Sequence, residues 1–162
     1  MGANVAARIN QLALIASGVL FAAIGLLWWS DRTRVWEEPR WDRSRFAMLA
    51  APDSAAAGGR ALVVAVHPGC SHCSERLAQL AREGAADSLV ASLGILVVDQ
   101  RERPAPPANA AALPAGVWWD SAATWRDSWG RRTYGEAYLF TPQGQLERVI
   151  PTSGDWREGA AR

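Results

Sequence analysis

Ala61-Leu-Val-Val-Ala-Val-His-Pro-Gly-Cys-Ser-His-Cys-Ser-Glu-Arg-Leu-Ala-Gln-Leu-Ala-Arg-Glu-Gly84 decides how the rest of the chain is read. Leu62 to Val66 is a short apolar run rich in β-branched residues, the pattern of a buried strand. His67-Pro68-Gly69 breaks it. After Cys70-Ser71-His72-Cys73 a helical period begins, with Leu77, Leu80 and Ala81 on one face and Gly84 as a C-terminal stop. The cysteines therefore fall at a strand-to-helix turn, with Cys70 close to the helix N-terminus. Unpaired backbone N–H groups and the positive end of the helix dipole favour an anion there, which favours a thiolate at Cys70.

These are the only two cysteines, and the only two histidines, His67 and His72, lie within three residues of Cys70. One reading is an inert structural disulfide. A loop this short gives a disulfide little entropic leverage, so redox or metal chemistry is the better reading. The chain of 162 residues is long enough for one domain with accessories. Its net charge is +1, and its basic residues are all arginines scattered among acids, so no nucleic-acid partner is expected.

Outward toward the N-terminus, residues 1–8 are a short tail and 9–29 a membrane anchor. Leu12 to Trp29 is apolar except for Ser17 and ends in the aromatic pair Trp28-Trp29. The apolar run leads into Trp-Trp-Ser-Asp-Arg rather than a small-residue cleavage site, so an uncleaved single-pass anchor is expected, with the bilayer as partner. Arg32, Arg34, Arg40, Arg43 and Arg45 follow the span and only Arg8 precedes it. That count alone places the domain in the cytoplasm. The cysteine chemistry favours the periplasmic side of the inner membrane instead, and a large domain translocates despite its charge. Residues 30–59 are expected to be a juxtamembrane segment and linker: a first part, with Trp36, Trp41 and Phe46 set among charges, that lies along the membrane surface or packs on the domain, and a flexible Ala/Gly/Ser-rich end.

Outward toward the C-terminus, Leu93 to Asp99 is a second buried strand, making a parallel βαβ unit with the first. The proline-rich stretch Arg101 to Pro114 is a surface loop. Gly116 to Asp120 is extended, and Ser121 caps a helix from Ala122 to about Trp129, stopped by Gly130. Glu136 to Thr141 and Gln145 to Ile150 form a hairpin around Pro142-Gln143-Gly144. Gly154 to Arg162 is expected to hold a last helix anchored by Trp156. Of Trp118, Trp119, Trp125, Trp129 and Tyr134, at least three are expected in the core.

This order, with Cys70-Ser71-His72-Cys73 at the first strand-to-helix turn, resembles the thioredoxin fold: a central mixed sheet flanked by helices, here at residues 60–162 behind one transmembrane helix. It is similar to the membrane-anchored thiol–disulfide oxidoreductases of bacteria, the group that includes cytochrome c maturation proteins. The likeness covers roughly Arg60 to Ile150. It also rests on Asp120, Trp129-Gly130, Gly135, Tyr138-Leu139-Phe140 and Pro142-Gln143-Gly144. It implies Cys70 as the attacking thiolate, Cys73 as the resolving thiol and His72 as a group that stabilises the Cys70 thiolate. It implies a substrate loop at Tyr134 and Gly135, partners that are protein thiols or disulfides, and no cofactor beyond the redox-active disulfide.

The chain departs from the family at three points. The cis-proline expected before the third main strand falls at Gly135, the buried acid at Val64 and the tryptophan before the first cysteine at Gly69. Two alternatives remain open. His67, Cys70, His72 and Cys73 as ligands suit Cu(I) or Zn(II), and a degenerate fold suits an accessory subunit of a larger membrane complex. Covalent haem attachment is disfavoured because Ser74, not histidine, follows Cys73.

Overall fold

The computed structural model describes residues 2–32, 34–52, 59–83 and 90–153. They divide into two units, Met1–Trp36 and Glu37–Arg162. The first is one helix, α1 (Gly2–Arg32). Leu14–Arg32 within it is long and apolar enough to cross a membrane, and none of it is buried against protein. A signal sequence has the same length and composition. Arg32 lies over the Trp28 ring at 4.1 Å, joining a cation to an aromatic at the helix end.

The second unit is built on a six-stranded sheet in the order β1-β4-β3-β2-β5-β6. The strands are β1 (Ala47–Ala50), β2 (Ala61–Val66), β3 (Ser92–Val97), β4 (Ala115–Trp119), β5 (Ala137–Phe140) and β6 (Leu146–Ile150). β2, β3 and β4 run parallel, and β1, β5 and β6 join antiparallel. A helix, α2 (Ser71–Glu83), follows β2 and precedes β3. Every residue of β2 is buried, as its uninterrupted apolar run requires of a central strand covered on both faces.

Alternation sorts the strand residues into two cores. Leu62, Val64, Val66, Ile95, Val97 and Val117 face Cys73 and Leu77 of α2. Val63, Ala65, Leu96, Trp118, Tyr138 and Phe140 face the other way, where Trp41, Phe46, Trp125 and Trp129 cover the sheet. Trp41 stacks on Phe46 at 5.3 Å and meets Trp118 edge-on at the same distance. Tryptophans thus do on this face what α2 does on the other. Three of the five aromatics expected in the core, Trp118, Trp125 and Trp129, are buried there.

The structure moves the start of the domain. Of the segment expected at 30–59 between anchor and domain, Glu37–Ala50 packs on the domain, one of its two expected placements. Glu37 N–H donates to the Ser128 carbonyl, Trp41 and Phe46 enter the core, and β1 pairs with β4. The gain is burial of two large aromatics and satisfaction of an open sheet edge. The expected flexible stretch falls mostly on 53–58, outside the described residues.

The helix expected from Ala122 to Trp129 is also different. It is a single wide turn, Thr124–Ser128, entered through a left-handed Ala123 (φ 53°). Asp120, not Ser121, caps it: its carboxylate accepts from Thr124 N–H at 2.9 Å and Trp125 N–H at 2.7 Å. Gly130 stops it with φ 65°. The proline-rich loop carries a 3-10 turn, Ala108–Ala112, that buries Ala110 and leads into buried Leu113. Leu77 lies on the buried face of α2 as expected. The side chains of Leu80 and Ala81, the Gly84 stop and the expected last helix at 154–162 lie outside the described residues.

Gly116 marks a close approach. A Cβ there runs into the Trp118 ring, which is buried and has no room to retreat. Gly116→Ala is expected to destabilise the domain by about 1–3 kcal/mol through overpacking, read from urea unfolding.

Candidate functional site

β2 ends at Val66, and Pro68-Gly69 turns the chain into α2. Cys70 N–H donates to the His67 carbonyl at 3.0 Å, closing the turn. Cys70 immediately precedes the helix, so its sulfur occupies the place of an N-cap acceptor: Cys73 N–H donates to Cys70 Sγ at 3.2 Å. The oriented amides of the first turn therefore favour negative charge at this sulfur whenever it is a free thiol. Cys70 and Cys73 are disulfide-bonded, with Cα atoms 5.4 Å apart. Cys73 is only 2% exposed, packed in the α2 core, whereas Cys70 is half-buried at the rim.

The histidines sit differently from one another. His72 is exposed, and its Nδ1 faces the Glu75 carboxylate at 3.6 Å. The polar contact to Cys70 Sγ thus comes from the backbone. His67 Nδ1 accepts from Gly69 N–H at 3.0 Å, which assigns the ring proton of the neutral form to Nε2. Its ring stacks on Tyr134 at 5.0 Å. His67, Cys70, His72 and Cys73 are therefore not gathered as a ligand set. Among the described residues, no group of three or more His, Cys, Asp or Glu is placed to hold a metal ion. The donors compete: one histidine nitrogen closes a turn, the other ring points at Glu75, and both sulfurs bond each other.

Tyr134 and Gly135 lead into β5. Gly135 N–H donates to the Ala65 carbonyl at 2.7 Å, and Ala65 N–H donates to the Glu136 carbonyl at 3.0 Å, so this loop is laced to β2 just before the cysteine turn. A groove of about 940 Å³ runs between α2 and this loop, lined by His72, Glu75 and Gln79 on one side and Thr133, Tyr134 and Thr152 on the other. Behind the disulfide, a cavity of about 440 Å³ is lined by His67, Cys73, Leu77, Gln100 and residues 104–108.

Three charged side chains were given no role at the site in the reading of the sequence. Asp99 follows β3, Asp120 follows β4, and Arg126 stands in the turn after it. Arg126 donates to the Asp99 carboxylate from Nε at 2.7 Å and also from Nη2. This pairing, helped by the Tyr134 hydroxyl, holds the Asp99 carboxyl below its ordinary range against the opposing effect of burial. Burial pushes the Asp120 carboxyl up, against the two amide hydrogen bonds it accepts. An acid directly after each of two apolar strands was the available signal, because ligand-facing groups in α/β sheets gather at the carboxyl ends of strands. Nothing distinguished Arg126 among the 17 arginines.

Taken together, an open mixed sheet carries a CxxC disulfide at the turn from a central parallel strand into a helix. The arrangement is the thioredoxin-like fold, and the one of the following solved structures with a TM-score above 0.5 agrees. The N-terminal domain of PilB from Neisseria gonorrhoeae is similar at 17% identity, over 72% of this chain and 84% of that one, with TM-score 0.53. An exposed lipoprotein thioredoxin from Streptococcus pneumoniae is similar at 18% identity, over 72% and 94%, with TM-score 0.45. StoA from Bacillus subtilis is similar at 15% identity, over 59% and 75%, also with TM-score 0.45. At such identities the likeness speaks to fold alone. No protein-family model and no curated protein matches the chain.

Asp99 sets a pH dependence. Its folded carboxyl titrates below the 3.8 of the unfolded chain, so between those values the folded state binds fewer protons. Stability from Asp99 is present above pH 3.8 and is lost as pH falls through the folded value. Asp99→Asn is expected to flatten this acid-side decline, measured by urea unfolding across the acidic range.

Proposed function

We propose that the chain is a membrane-tethered thiol–disulfide exchange protein whose reactive pair is Cys70 and Cys73. The observation that carries this reading is the asymmetry of the two sulfurs. Cys70 sits half-exposed on the helix N-cap, and Cys73 lies sealed behind it within bonding reach.

The steps follow from that asymmetry. With the pair reduced, the Cys70 thiolate attacks one sulfur of a partner disulfide. A mixed disulfide forms, and the partner's other sulfur leaves as a thiolate that takes up a proton. Cys73 then loses its proton and attacks Cys70 Sγ, the intramolecular disulfide closes, and the partner's second sulfur leaves and is protonated. The partner gains two electrons and two protons, which the dithiol loses, and the reverse sequence oxidises a partner dithiol. The backbone amide at Cys70 Sγ favours the thiolate in either direction and so favours the reduced pair. The reaction calls for no bound group besides the two sulfurs.

Tethering is supported by the apolar stretch Leu14–Arg32 and by its aromatic and arginine end. An oxidising compartment such as the periplasm is where a disulfide at this site persists between encounters.

Two experiments test the proposal. Cys70→Ser is expected to abolish exchange with a small-molecule disulfide, while Cys73→Ser accumulates a trapped mixed disulfide on non-reducing gels. A wild-type chain that cannot be cycled between dithiol and disulfide removes the redox reading. Separately, a reporter that is active only in the periplasm, fused after Arg162, is expected to be active, with the chain resisting alkaline extraction from membranes. An inactive fusion with a stable protein level places the domain on the other side.

A further inference from the structure

Behind the loop that carries Tyr134 lies a cluster the exchange chemistry does not itself use. Tyr134 Oη donates to Asp99 Oδ2 at 2.6 Å and accepts from Arg126 Nη2 at 3.1 Å, while Arg126 and Asp99 pair directly. The Tyr134 ring is stacked between His67 at 5.0 Å and Trp125 at 5.5 Å, with interplanar angles of 27° and 19°. Two ring stacks and two hydrogen bonds at the hydroxyl thus hold the side chain.

Four separate chain segments converge to do this. His67 follows β2, Asp99 follows β3, Trp125 and Arg126 lie in the turn that Asp120 caps after β4, and Tyr134 precedes β5. Asp99 also holds a left-handed backbone, φ 57°, a sterically costly conformation that aspartate tolerates better than most residues. A surface ion pair adopted for stability alone does not require such a backbone. Here it aims the carboxylate at the tyrosine hydroxyl.

Tyr134 is also a wall of the groove of about 940 Å³ beside the cysteine helix, facing His72, which lies two residues beyond Cys70. We infer that Asp99 and Arg126 are positioning residues. Through Tyr134 they hold one side of this groove rigid, so that a polypeptide segment carrying a disulfide lies along it with its sulfur presented to Cys70. This rests on the thiol–disulfide reading. The occupant is a polypeptide because only a chain extending away from its sulfur reaches both α2 and Tyr134. Cys70 is not among the residues that line the groove, so a small disulfide reacting there has no need to touch that wall.

The test uses the full-length chain in detergent micelles and compares two substrates, a disulfide-bonded peptide and a small aromatic disulfide. The readout is the ratio of their kcat/KM values. Asp99→Asn is expected to lower the ratio on the order of tenfold, mainly through KM for the peptide, as loss of a hydrogen bond to a charged group allows. Tyr134→Phe keeps both ring stacks and removes only the hydroxyl. It is expected to lower the ratio similarly, with the double variant losing little more, since both remove one clamp. Should Asp99→Asn not fold, Tyr134→Phe alone decides the matter. Equal losses on both substrates, an unchanged ratio, or fully additive losses overturn the clamp while leaving the exchange reading intact. A wild-type chain that exchanges neither substrate overturns both.

Discussion

A single hydrogen bond, Cys73 N–H to Cys70 Sγ, joins the fold to its chemistry. It exists because β2 is buried along its whole length and must deliver the chain to α2 at the sheet's edge. Any helix starting there leaves amides without carbonyl partners. In most proteins a serine, threonine or aspartate oxygen takes them. Here a sulfur does, and the same cap that completes the helix favours negative charge on that sulfur whenever the pair is reduced. Placing the second cysteine three residues later puts it one turn inside, on the face that packs against β2 and β3. Reactivity and burial are thus divided between two residues by helical geometry.

The opposite face of the sheet is covered by other means. Among the described residues of the domain α2 is the one α-helix, and it lies on the cysteine side, so tryptophans cover the other side. Trp41, Trp125 and Trp129, with Phe46, reach across the sheet from loops and cover what a helix otherwise covers. Loops supply such residues only if they are pinned. The Asp120 carboxylate pins the turn bearing Trp125, and the Glu37 and Trp41 amides pin the N-terminal arm. Buried Trp125 then serves both sides: its Nε1–H donates to Tyr138 Oη at 3.0 Å inside the core, and its ring face supports Tyr134 at the groove. Core packing and the candidate site share this residue.

What the sequence disclosed tracks how local the determinants are. β2, β3 and the final hairpin were legible because apolar runs and turn residues sit side by side in the chain, and the cysteine turn because proline and glycine mark it. β1 was not: Ala47-Met-Leu-Ala50 is a weak strand signal, and only pairing with β4 makes it a strand. The wide turn at Thr124–Ser128 read as a helix because Trp125 and Trp129 have helical spacing. They are both buried, but the left-handed Ala123 and the Asp120 cap set a different geometry. The site followed the same rule. Cys70 and Cys73 are close in sequence, so their meeting at a strand-to-helix turn was legible, whereas the clamp on Tyr134 draws on positions 67, 99, 125 and 126 and exists only once the sheet has formed.

The missing proline takes its meaning from the same geometry. Gly135 has φ 84°, and a proline ring fixes φ near −65°, so this backbone has no place for proline at all. A side chain there also meets Thr152, whose Cγ2 lies 3.1 Å from where a Cβ stands. A proline here therefore requires a different backbone, and the loop as it stands lacks the stiffness a pyrrolidine ring supplies. Stiffness returns from two other sources, the hydrogen bonds that lace Gly135 and Glu136 to Ala65, and the ring and hydroxyl contacts that immobilise Tyr134. A loop held from its neighbours rather than from its own covalent structure depends on residues far away in sequence, which is why its rigidity is written at Asp99 and Arg126 rather than at position 135.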